Sequence, residues 1–92
     1  MPDTSVVERP TLTRKQLLLL EFARNNADEL PTEGYARDAL YPRVLRPRVS
    51  LNRLEGLGLI RFVWWTGDEC GYQFEITDKG RMLLARLGAA RV

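Results

Sequence analysis

The 92-residue chain contains no histidine. That absence removes histidine acid/base catalysis, hydrolytic triads and the usual zinc ligand sets. Its one cysteine, Cys70, cannot form an internal disulfide, which fits a reducing compartment, and no partner cysteine supports a redox role. Long apolar runs are missing too: the longest, Leu17 to Leu20, falls far short of the roughly 18 residues that cross a bilayer and is too short for a signal-peptide core. We therefore expect a soluble, cytoplasmic protein with no membrane partner. There is no glycine-rich phosphate loop, and Gly34, Gly67 and Gly71 read as turn or cap positions. Asp68 and Glu69, adjacent in a turn, do not make an enclosed acid/base pair, so no enzyme, metal or cofactor is expected.

What is present is ordinary globular material. Hydrophobic residues make up 45 % of the chain and charged residues 28 %, enough for a core that folds without staples. At this length one domain is the default, burying roughly 60 to 70 % of the unfolded surface. Residues 1–10, with Pro2 and Pro10 and no apolar period, read as a flexible arm; residues 11–92 read as the domain. A net charge of +2 is too mild to signal nucleic acid, but its distribution is uneven. From Arg37 to Arg61 there are six arginines against Asp38 and Glu55, whereas residues 1–36 carry four basic and six acidic side chains. Arginine suits both phosphate and guanine contacts.

Periodicity divides the domain. Thr13 with Gln16 three residues on forms a capping box, and Leu12 with Leu17 a hydrophobic staple, for a helix from Arg14 to about Asn26. Its apolar residues cover more than one stripe. Leu18 and Phe22 form the second, assigned either to burial against the last helix or to a homodimer interface. Thr32 caps a short second helix to Tyr41, which Pro42 ends. A third helix spans Arg46 to Leu57, with Pro47 in the first turn and Gly58 in the left-handed C-terminal position. Pro47, Leu51, Leu54 and Gly58 share one face; Val49, Asn52 and Arg53 lie opposite. The period then changes to alternation. Ile60, Phe62 and Trp64 against Arg61, Val63 and Trp65, and Tyr72, Phe74 and Ile76 against Gln73 and Glu75, predict a β-hairpin with Trp64 in the core and Trp65 outward. Thr77 caps a last helix, Asp78 to about Ala90, with Met82, Leu83 and Leu87 inward.

Three helices, a two-stranded β-hairpin wing and a C-terminal helix give an α+β fold in the order of a winged helix-turn-helix. Leu51 to Phe62 (LNRLEGLGLIRF) and Phe74 to Leu84 (FEITDKGRMLL) resemble the recognition helix, first wing strand and post-wing helix of the multiple-antibiotic-resistance (MarR) and PadR-type regulators. Leu12 to Ala23 (LTRKQLLLLEFA) is similar to their first winged-domain helix. The resemblance spans roughly Leu12 to Leu87 and implies a sequence-specific regulator of transcription, probing double-stranded DNA as a homodimer, with its third helix in the major groove. On that resemblance Arg48, Val49, Asn52 and Arg53 face base edges, and Arg43 and Arg46 meet phosphates. The bland alternative is a solvated amphipathic face.

Three features depart from the family. The link Tyr41 to Leu45 is long and holds a proline, the long flanking dimerisation helices are missing, and the wing tip, Gly67 to Cys70, is acidic where phosphate would repel it. These feed a rival reading, a winged-helix protein-interaction module or small inhibitor that docks a partner protein through Val63, Trp65, Asp68 and Glu69.

Overall fold

Residues 12–91 are described by a computed structural model of the chain; the expected arm, residues 1–10, lies outside them. The fold is α+β, with four α-helices and one antiparallel hairpin: α1 (Arg14–Asn25), a 3₁₀ turn (Ala27–Glu29), α2 (Glu33–Leu40), α3 (Pro47–Gly56), β1 (Ile60–Trp65), β2 (Tyr72–Ile76) and α4 (Asp78–Arg91). Among the described residues no helix is long and apolar enough to cross a membrane.

Local chemistry accounts for the boundaries. Thr13 Oγ1 accepts from Gln16 N at 3.1 Å while Thr13 N donates to Gln16 Oε1 at 3.0 Å, the reciprocal pair that closes a capping box. Thr32 Oγ1 accepts from Tyr35 N, and Thr77 Oγ1 from Gly80 N, each at 3.1 Å. Pro47 occupies the first turn of α3, and the far end closes at Gly58, φ +78°. There Gly58 N donates to Glu55 O and Leu59 N to Leu54 O, both at 2.9 Å, so two orphan carbonyls are satisfied while Leu54 and Leu59 enter the core together.

The core is built from Leu19 and Leu20 of α1, Leu51 and Leu54 of α3, Leu59, Ile60, Phe74 and Leu84. Val44, in the link between α2 and α3, is also fully buried and pins that link from inside. Thr77 ties hairpin to helix: its N–H donates to Leu59 O (3.0 Å) and its hydroxyl to Gly58 O (2.6 Å). Two features lie outside the expected elements. Phe74 N donates to Pro31 O at 3.0 Å and Thr32 bridges Gln73, so a short extended piece covers the second edge of β2. Leu30, which precedes it, holds a left-handed φ of 48°, a conformation that costs a bulky residue about 1–2 kcal/mol.

The hairpin corrects the expected assignment of its tryptophans. Ile60 pairs with Ile76 and Phe62 with Phe74, but the next pairs are Trp64 with Gln73 and Trp65 with Tyr72. One extra residue on β1 makes a β-bulge, which reverses the alternation beyond it. Trp64 therefore falls on the face opposite Phe62 and is 63 % exposed, not core. Trp65 joins the Phe62 and Phe74 side, its ring 5.0 Å from that of Tyr72, yet remains 48 % exposed because it lies near the tip. Met82 is likewise exposed, not inward; Leu83 and Leu84 supply the inner face of α4.

Candidate nucleic-acid interface

On α3, burial of Pro47, Leu51 and Leu54 turns Val49, Asn52 and Arg53 to the surface, Val49 with 68 % of its area free. Arg43 and Arg46 are exposed in the segment leading into the helix. Arg43 is placed by a tight turn in which its N–H donates to Leu40 O at 2.7 Å, with buried Val44 fixing the chain beside it. Arg46, at the cap position, provides no side-chain hydrogen bond to the first turn.

Pairing separates the six central arginines into two groups. Arg37 lies 3.5 Å from Asp38, Arg48 is bound to Glu33, and Arg61 is bound to Glu75 across the hairpin. Arg43, Arg46 and Arg53 have no ion-pair partner among the described residues, and all three belong to α3 or its lead-in. The sequence expectation that groups Arg48 with them is corrected. Its Nε and Nη2 donate to the two oxygens of Glu33 at 2.7 and 2.9 Å, a bidentate pair that occupies the fork a guanine would need. The Glu33 hydrogen bond raises the already high pKa of Arg48, so the charge is permanent but already answered.

Glu33 is the functional residue that sequence reading passes over. It is buried, 7 % exposed, and its carboxylate also accepts from Tyr72 N at 2.6 Å. At the first position of α2 an acidic residue reads as a favourable charge on the helix dipole. Nothing local pairs it with an arginine fifteen positions on.

The residues of the rival surface divide across the hairpin. Val63 and Trp65 are both about half exposed, and the bulge exposes Trp64 more than either. At the tip, Asp68 Oδ1 accepts from Cys70 N at 2.8 Å and lies 2.8 Å from the Thr66 hydroxyl. Those bonds, the Cys70 amide first, lower the Asp68 pKa, and the neighbouring Asp68 charge raises that of the exposed Cys70 thiol, which disfavours the reactive thiolate. The expected homodimer face needs correction at Phe22, whose ring is buried edge-on against Tyr35 at 5.4 Å; Leu18 is half-buried against the core. Phe22 thus spends its apolar area within the chain, whereas Leu18 keeps part of its surface open. No group of three or more cysteine, aspartate or glutamate side chains comes together as a metal cage among the described residues.

No protein-family model matches the chain, and no curated protein or solved structure matches it.

Proposed function

We propose that the chain is a winged helix-turn-helix domain that binds double-stranded DNA, and more particularly a MarR/PadR-like regulator of transcription that inserts α3 in the major groove. The observation that carries this reading is the selective pairing of the arginines. Of the six central arginines, Arg37, Arg48 and Arg61 are answered by carboxylates, whereas Arg43 and Arg46 in the lead-in to α3 and Arg53 on it are left exposed and unpaired among the described residues. Unpaired guanidinium groups gain from phosphate through counterion release and from guanine through bidentate hydrogen bonds. Arg43 and Arg46 flank the positive end of α3, where phosphate is also favoured by the helix dipole. Asn52 and Arg53, with Val49 beside them, supply an amide for adenine, a fork for guanine and an apolar contact for a thymine methyl. Glu55, the one carboxylate on α3, sits near the far end of the helix.

One observation favours a second reading. Val63, Trp64 and Trp65 leave apolar area open beside the acidic Asp68 and Glu69, a surface better matched to a protein than to phosphate. The test for both is selection of duplexes from a random pool, followed by anisotropy with the selected and a scrambled duplex over a salt series. Binding that depends on sequence and falls with salt supports the DNA reading, and the selected site shows whether one or two half-sites are read. Absence of binding at low salt overturns it and transfers the search to protein partners of the wing.

A further inference from the structure

Three elements meet at the Glu33 carboxylate. It opens α2, accepts hydrogen bonds from Nε and Nη2 of Arg48 in the first turn of α3, and accepts the N–H of Tyr72, the first residue of β2. The Arg48 guanidinium lies over the Tyr72 ring, 5.2 Å from its centroid, and that ring touches Trp65 and Phe62 at 5.0 and 5.1 Å. One continuous run of contacts, with the rings tilted against one another, thus leads from the start of α3 to the outer half of the hairpin.

Two glycines make room for it. Gly71 has φ +77°, and a Cβ there would stand 2.5 Å from Glu33 Oε2. A Cβ on Gly34 would stand 3.1 Å from the Cα of Cys70, whose carbonyl accepts from Gly34 N at 2.9 Å. The return strand of the hairpin is therefore fastened to the start of α2 at two consecutive points, and through Arg48 to α3. An apolar cluster would hold these elements together without fixing their angle. A buried carboxylate with three directed donors tolerates only a narrow range of angles, because any displacement leaves a charge buried and short of partners.

We infer that Glu33 is a positioning residue: through Arg48 and the Tyr72 amide it sets the angle at which the hairpin stands off α3, so that helix and wing meet one ligand as a single rigid surface. The inference deepens the DNA-binding reading and rests on it for its consequence, since the distance between helix and wing contacts on a duplex follows from that angle. Arg48 acts here through Glu33 and Tyr72, without contacting a base.

Glu33→Gln keeps the shape, removes the charge and sets an amide donor against the donors of Arg48 and Tyr72. Arg48→Lys is the milder partner variant, keeping the charge and losing the fork. Residual dipolar couplings of the free protein, wild type and variants, report the angle directly. In Glu33→Gln the amides of α1 and α3 should still fit one alignment tensor while those of 60–65 and 72–76 depart from it, with Arg48→Lys intermediate. Hydroxyl-radical footprints on a selected duplex should keep the protection given by α3 and lose or shift that given by the wing, with affinity down about tenfold. Should Glu33→Gln fail to fold, Arg48→Lys decides. Hairpin couplings that fit the wild-type tensor, or affinity that falls only with the folded fraction, overturn the inference. If the wild type binds no duplex, the DNA reading fails while the couplings still decide whether Glu33 sets the angle.

Discussion

Gly80→Ala and Gly88→Ala should move stability in opposite directions although both glycines lie in α4. A Cβ on Gly80 would come to 2.3 Å from Leu59 O and 2.8 Å from Ile76 Cγ1, whereas nothing lies within 4 Å of one on Gly88. The atom met at position 80 is backbone, and Leu59 O already accepts from Thr77 N, so the start of α4 must move off the hairpin by about 1 Å to restore ordinary contact. Overpacking of this kind costs about 1–3 kcal/mol, and a loosened Thr77 cap about 1 more, against a gain of about 1 from glycine to alanine in a helix. A net loss of about 2 kcal/mol corresponds to a Tm about 8–16 °C lower in a domain of this size. Gly88→Ala keeps only the helix gain, about 0.5–1 kcal/mol, and should raise Tm by a few degrees. Thermal melts followed by circular dichroism make the comparison. A Gly80→Ala protein as stable as wild type would refute the claim that this close approach sets how α4 seats on the hairpin.

Three further outcomes are expected. The double variant Arg43→Ala/Arg46→Ala should bind a selected duplex with a salt slope shallower by about 1.8, since each neutralised phosphate contributes about 0.9; an unchanged slope removes both residues from the backbone contacts. Asp68 has its pKa lowered by the Cys70 amide and then the Thr66 hydroxyl, so the order it gives the tip is fully present above the ordinary carboxyl range and is lost as pH falls through the lowered value. An NMR pH titration of the Cys70 amide should show that midpoint below the usual aspartate value of about 3.9, and Asp68→Asn should abolish it; a midpoint at the usual value contradicts the hydrogen-bonded tip. Thr13→Ala breaks the capping box of α1 and should cost about 1 kcal/mol by chemical denaturation, with no loss of DNA affinity once folded.

Local chemistry made most of the architecture legible. Thr13, Thr32 and Thr77 each bear the cap that their neighbours announce, and Pro47 and Gly58 mark the ends of α3 because each residue type has few other places to go. The misassigned tryptophans have one cause: alternation predicts a face only while the ladder is regular, and a bulge adds a residue without any sequence signal. The lead-in to α3 hides its anchor for a different reason, since Val44 and Leu45 stand side by side with no period to show that Val44 is buried and Leu45 exposed. At the candidate site the arginines of α3 and its lead-in are visible as a cluster, but which of them is already paired depends on Glu33, and that contact exists only once α2, α3 and the hairpin have been packed. The family resemblance therefore groups Arg48 with the expected DNA contacts, whereas in the assembled structure its fork is occupied by Glu33.

The central claim, that α3 reads duplex DNA, is tested most directly by anisotropy with a duplex selected from a random pool and its scrambled counterpart, using wild type and Arg53→Ala. The account predicts salt-dependent binding with clear preference for the selected duplex, and a loss of about 1–3 kcal/mol on that duplex in the variant. Equal affinity for both duplexes, or none at low salt, would contradict it.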